Sequence, residues 1–323
     1  MKDKIEFMVH GNTYYIPNSW DQLNSYLFIS LIRDFNRMVK GELSPAMVRV
    51  NYVCNVMGWK PKKIRGEESF QNLAFLAEQV TFPFVIMYPD NDMALSEMDP
   101  ETRKLCKKTP PERLTCLPIA RYLSRLDYKF AFDCCFCKQL VPAVVIDDDI
   151  YSAYSIDTNF NVLTCSLTAL QYIEARALIG KSVDMLPLLA AILYNPGTYT
   201  SEGAHRLATV FAKLPEDELQ AIAFNFQAFN NYLFTQTDFR LLTAAKEGKC
   251  SAISTGALES LYNLSNDGLG DITAIEQMNV IKYLTILRKK IIETVRSMDA
   301  MKMEKADIEK ETGLPLHIIN QIL

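Results

Sequence analysis

The chain has 323 residues, of which 49% are hydrophobic and 22% charged, with 34 basic against 38 acidic side chains and a net charge of −4. That length exceeds one ordinary core and predicts two lobes, and the apolar content excludes wholesale disorder. The near balance of charge excludes a global positive field for nucleic acid or an anionic membrane, so any such contact is local.

The opening Met1-Lys2-Asp3-Lys4-Ile5-Glu6 is charged where a signal peptide is apolar, and the apolar run 185–194 is about half a membrane span. A cytoplasmic protein without membrane contact is expected. Eight cysteines, Cys54, Cys106, Cys116, Cys134, Cys135, Cys137, Cys165 and Cys250, are scattered over this length, which predicts reduced thiols and no disulfide framework.

In chain order, residues 4–9 alternate, Gly11-Asn12 supplies a turn and 13–16 returns before Pro17, which predicts a hairpin. A helix follows, capped by Asn18 or Ser19 with Gln22 at the capping-box position, its apolar face Leu23, Leu27, Leu31 and Phe35, ending at Gly41. Further helices are predicted over 44–57, with Ser44 as cap and Pro45 at the first position, and over 68–80. Residues 87–113, rich in Pro, Asp, Lys and Arg, read as a surface excursion around a short helix. Strands are predicted over 128–132, 143–146 and 150–156, and helices over 167–178, 185–194, 201–212, 215–231, 256–264 and, as one long element, 273–303. The expected class is α+β and predominantly α-helical, with two lobes, each a small β-hairpin or sheet element followed by helices. The expected parts are a first lobe (1–96), a basic connecting segment (97–125), a second strand segment with an α-rich lobe ending in the long helix (126–303), and a C-terminal helical hairpin (304–323).

The two lobes share a pattern. Residues 23–31 and 167–175 align as Leu-(Asn/Thr)-x-x-x-aromatic-Ile, and upstream Tyr14-Tyr15-Ile16 before Trp20 matches Tyr154-Ser155-Ile156 before Phe160. This reads either as a duplicated strand-then-helices unit or as chance similarity between two amphipathic helices.

Little of the chain has the spacing of catalytic chemistry. His10, His205 and His317 each stand alone in sequence. Gly180-Lys181-Ser182 has Ala175 where a phosphate loop needs glycine, and it follows a helix rather than a strand. Asp90-Asn91-Asp92 and Asp147-Asp148-Asp149 lack the Gly and distal Glu of a calcium loop and read as polar turns. Cys134 and Cys137 have a Cys-x-x-Cys spacing that a metal or a redox couple uses, although no second pair accompanies them; buried packing is the alternative. Lys60, Lys62, Lys63 and Arg65, with Arg103, Lys104, Lys107 and Lys108, form two basic groups read as solvated loops. Residues 306–323 have the spacing of a helix-turn-helix around Thr312-Gly313-Leu314-Pro315, with His317, Asn320 and Gln321 offered to bases, but Lys310 is the single cation beside Asp307, Glu309 and Glu311.

The hairpin Phe7-Met8-Val9-His10-Gly11-Asn12-Thr13-Tyr14-Tyr15-Ile16-Pro17, then Ser19-Trp20 and the helix over 23–31, resembles the tail-assembly-chaperone type of small protein in tailed bacteriophages and prophages. The segment 167–175 has the same look. The resemblance implies a non-enzymatic morphogenesis factor without cofactor that binds other proteins, such as a tape-measure-like or other virion protein, in the host cytoplasm. Trp20, Leu23, Leu27, Phe28, Phe160, Leu167, Gln171 and Tyr172 are the contact residues it implies. The chain is longer than such proteins and adds the Cys134–Cys137 cluster and the C-terminal hairpin, so a tail-associated structural role is the neighbouring reading. A DNA-binding regulator using the C-terminal hairpin is the alternative from another class.

Overall fold

The computed structural model describes residues 3–9, 11–60, 66–88, 95, 97–114, 116–244 and 258–323. His10, Lys62, Lys63, Arg65, the Asp90-Asn91-Asp92 cluster and Cys250 lie outside them. The class is the expected one: 58% of the structure is helical, and the described strands form four two-stranded antiparallel sheets. The chain divides into residues 1–134 and 135–323.

In the first unit, strands β1 (Lys4–Val9) and β2 (Asn12–Pro17) pair from Lys4 opposite Pro17 to Val9 opposite Asn12, with Gly11 at φ 80° reversing the chain. The two-residue period puts the facing pair Ile5 and Ile16 into the core and leaves Met8 and Tyr15 outside. Helix α1 (Ser25–Val39) starts later than the sequence reading has it. Asn18 is buried and its side-chain oxygen accepts from Thr81 N at 3.1 Å; Ser19 precedes a 3-10 turn, Trp20–Gln22, without capping it. Asn24 is the cap, accepting from Leu27 N at 2.9 Å. Helix α2 (Pro45–Met57) follows the sequence closely: Ser44 accepts from Met47 N at 3.3 Å, Pro45 fills the first turn and Gly58 ends it at φ 66°.

After α3 (Glu67–Glu78), strand β3 (Phe84–Met87) pairs antiparallel with β4 (Lys129–Phe132), Phe84 facing Phe132. β3 was not expected, because four apolar residues after Pro83 show no alternation, and it moves the 128–132 strand out of the second lobe and into the first. The expected boundaries at 96 and 125 therefore give way to one at Cys134. Phe132 stacks on Phe35 at 3.9 Å, and the buried guanidinium of Arg49 lies 5.0 Å from the Phe84 ring and 5.2 Å from that of Phe130. Helix α4 (Pro100–Lys108), capped by Asp99, and the short α5 (Ala120–Leu123) close a smaller core that includes Ile86, Tyr88, Leu95, Cys106, Leu114 and Leu123.

The second unit opens with two hairpins. Strands β5 (Ala143–Ile146) and β6 (Asp149–Ser152) are joined by Asp147 and Asp148 at φ 51° and 70°, the pair of left-handed residues that a primed two-residue turn requires. The expected strand over 150–156 is split: β7 (Ile156–Asp157) turns back through a 3-10 segment, Asn159–Asn161, to pair with β8 (Thr164–Cys165). Helices α6 (Ala169–Leu178), α7 (Leu186–Leu193), α8 (Ser201–Phe211) and α9 (Glu216–Gln236) form the body. Its core packs Tyr154 and Tyr172 edge-on to Phe226, and the Tyr172 hydroxyl donates to Asn230 at 2.6 Å.

Helices α10 (Leu258–Asn266), α11 (Ile272–Glu276) and α12 (Val280–Ala300) follow. The single long helix expected over 273–303 is broken at Gln277–Asn279. There Asn279 makes a bridge with Thr168, Val280 N donates to Leu167 O at 2.9 Å, and the Asn279 side chain caps α12 from Ile281 N at 2.9 Å. A tertiary contact thus overrides continuous helical periodicity.

The duplicated unit is not confirmed, although its core element recurs. Asn24 and Thr168, aligned in sequence, are both helix caps, and each is flanked by a buried Leu before it and a buried aromatic four residues after it, the spacing of a hydrophobic staple. The surroundings differ. Trp20 is 5% exposed and edge-on to Phe28 and Phe82, whereas its counterpart Phe160 is 99% exposed and is followed by the extra strand β8.

Candidate functional site

The implied contact residues fall into two groups. Trp20, Leu23, Leu27 and Phe28 in the first unit, and Leu167, Gln171 and Tyr172 in the second, are buried. This corrects their reading as a docking face: helical periodicity marks the face a helix hides, and that face is already covered by the chain's own core. Gln171 is committed locally, completing a capping box with Thr168 and donating to Ile192 O at 3.1 Å.

Phe160 is the exception. It sits at the tip of the β7–β8 hairpin with φ 56° and ψ 28°, and Asn161 beside it also has positive φ, 58°. Left-handed backbone at non-glycine residues costs of order 1 kcal/mol each, and such strain concentrates at sites of function. Two residues on, Val162 is also exposed. The neighbouring hairpin in sequence adds Val145 and Ile150, which face each other across β5 and β6 and are 64% and 72% exposed. The four-residue apolar run 143–146 carried that signal: a strand with no polar residue is apolar on both faces, and only one face enters the core.

Leu167, Thr168 and Gln171, at the start of α6, line a cavity of about 400 Å³ together with the ends of β6 and the loop 195–199. On α6 itself, Glu174 accepts from the Tyr199 hydroxyl and from Ser201 Oγ. Burial, then the adjacent Glu174, pushes the Tyr199 hydroxyl's pKa up, so it stays a neutral donor.

Cys134 and Cys137 are half-buried in irregular chain after β4, and the unit boundary at Cys134/Cys135 places them in different units. No helix starts there, so the helix N-terminus on which a thioredoxin-like pair sits is not present at these residues. Among the described residues no group of three or more His, Cys, Asp or Glu side chains stands together as metal ligands would. Burial pushes the thiols of Cys54 and Cys106 up, and that of Cys165 up to about 12.

The second basic group is only partly a solvated loop. Arg103 donates to Leu95 O and Met98 O, both at 2.8 Å, and Lys108 reaches into the first unit's core. At the C-terminus, α13 (Lys305–Thr312), Gly313 at φ 70° and α14 (Leu316–Ile322) make the expected helical hairpin. It packs on α12 through Val295, Ile308, Leu314 and Ile319. His317, Asn320 and Gln321 share the exposed face of α14, where Lys305 donates to Asn320 Oδ1 at 2.7 Å.

Comparison of the chain with protein-family models, curated proteins and solved structures finds no match. Among the described residues no helix is long and apolar enough to cross a membrane.

Proposed function

We propose that this chain is a non-enzymatic protein-binding factor of phage or prophage morphogenesis, a tail assembly chaperone or a tail-associated structural protein that engages a tape-measure-like or other virion protein in the host cytoplasm. The observation that carries the protein-binding reading is Phe160, a fully exposed aromatic held out on a strained hairpin tip, with Val162 beside it and the Val145/Ile150 pair on the preceding hairpin. Exposed aromatic anchors are what interface energies are built on. The morphogenesis role rests on the resemblance of the first hairpin and helix. The test is affinity capture of the tagged full-length chain from cells that produce it, beside a Phe160→Ala variant, with mass spectrometry of the partners. A long helical or virion protein recovered by the first and lost by the second is the expected outcome; equal recovery by both contradicts Phe160 as the anchor.

The second reading, a DNA-binding regulator, is favoured by one feature: His317, Asn320 and Gln321 lie together on the exposed face of the second helix after a left-handed Gly313 turn. The acidic residues Asp307, Glu309 and Glu311 around it weigh against it. A salt-dependent duplex shift abolished by Asn320→Ala with Gln321→Ala is its test.

A further inference from the structure

We infer that the cavity at the start of α6 is a binding site for a neutral saccharide, an assignment independent of the protein-binding reading. Its volume, about 400 Å³, is within the range of small-molecule pockets, and it is lined by three separate segments, 152–154, 166–171 and 193–199, with Gln277. Among the described residues no Asp, Glu, Lys or Arg lines it. A charged ligand gains no counter-charge from this lining, and an apolar one leaves the hydroxyls and amides it covers without partners.

The lining is preorganised and has capacity left over. Gln277 Nε2 donates to Tyr199 O at 3.0 Å, which fixes the side chain and leaves its oxygen unused; Thr168 Oγ1 accepts from Gln171 N at 3.2 Å, which leaves the hydroxyl proton. The hydroxyls of Ser152 and Thr198 and the amide of Asn195 make no hydrogen bond to any described residue, and all three line the cavity. Each of these groups except the Gln277 oxygen offers a donor, and each hydroxyl or amide also accepts, which is the chemistry of a ligand whose own hydroxyls do both at once. A saccharide ring presents such groups around its whole edge. A peptide presents one donor and one acceptor per residue, separated by side chains that would need apolar pockets.

The test is amide chemical-shift mapping of the full-length protein titrated with N-acetylglucosamine, with glucose 6-phosphate and with the peptide Gly-Ser-Asn-Gly. The site predicts saturable shifts confined to amides at 152–154, 166–171 and 195–199 with N-acetylglucosamine, and a weaker response to the phosphate. The double change of half-buried Asn195→Ala with exposed Thr198→Ala weakens saccharide binding about tenfold, the loss of two neutral hydrogen bonds, while the rest of the spectrum is retained. No saturable shift in this set with N-acetylglucosamine overturns the assignment. So does a peptide response at these amides with the saccharide silent, which makes the cavity a peptide site, and so does saccharide binding that the double change leaves untouched.

Discussion

Asp157 holds Asn159 twice, accepting from its backbone N–H at 2.8 Å and from its side-chain Nδ2 at 2.6 Å. This clamp braces the β7–β8 turn immediately before Phe160. Because Phe160 is fully exposed and left-handed, Phe160→Gly removes strain and no packing, so stability is unchanged or rises by up to ~1 kcal/mol, read from a denaturant midpoint. A loss above ~1 kcal/mol would mean that the ring packs somewhere in solution. The same substitution is expected to abolish partner capture, separating function from folding.

Lys108 carries an opposite kind of expectation. Its Nζ donates to Phe82 O at 3.0 Å, to Phe84 O at 2.9 Å and to the Asp133 carboxylate, tying the end of α4 to β3 and to the chain leaving β4. Lys108→Met leaves two carbonyls and a part-buried carboxylate without their donor, at a cost of about 2–4 kcal/mol. Urea unfolding of the variant measures it; a cost below ~1 kcal/mol would show the clamp to be solvent-screened.

Burial drives the titration of this protein's buried thiols and tyrosine hydroxyls upward, away from neutrality. The Cys165 thiol is pushed up to about 12, chiefly by burial, and burial likewise raises the hydroxyls of Tyr154, Tyr172 and Tyr194. In each case the folded state keeps a proton that an unfolded chain gives up at a lower pH. The stabilisation is intact below pH about 8.5, where an unfolded thiol begins to titrate, and fades as pH climbs through the folded values. Thermal midpoints are therefore expected to be flat from neutral pH to about 8 and to fall progressively above 9. Iodoacetamide at pH 8 should modify the exposed Cys116 well before Cys165; equal rates would contradict the burial of Cys165.

The C-terminal hairpin separates packing from recognition. Ile308 is fully buried against Val295 and Ile319, so Ile308→Ala is expected to cost about 2–4 kcal/mol. Gly313→Ala, at φ 70°, should cost about 1 kcal/mol through backbone strain alone. Asn320→Ala with Gln321→Ala, both exposed, should change stability by less than ~0.5 kcal/mol. Proteolysis midpoints in urea rank the three; a neutral Ile308→Ala would mean that the hairpin is not docked on α12.

How far the sequence is legible depends on whether a feature is local. Ser44-Pro45 with Gly58 is self-contained, and α2 matches its expected span to within a residue. Asn18 is capable of capping a helix, but the structure uses it to hold Thr81, a residue far along the chain, and the cap passes to Asn24. The break between α11 and α12 likewise comes from the distant Leu167–Thr168 segment. Sidedness is hidden for the same reason: the aromatic pattern shared by Trp20 and Phe160 is visible in sequence, yet one ring is buried by Phe28 and Phe82 while the other meets no core. The cavity was not legible at all, since its hydroxyls and amides come from three separate segments and Gln277, which only the fold brings together.

The most direct test of the account replaces Phe160 with a photoreactive phenylalanine analogue in the tagged full-length chain, irradiates the cells that produce it, and identifies what becomes covalently attached. The account predicts a discrete protein adduct, with a long helical or virion protein as the partner, and no adduct when the same analogue stands at the buried position of Phe28. No protein adduct from position 160, with nuclease-sensitive DNA recovered instead, would contradict it.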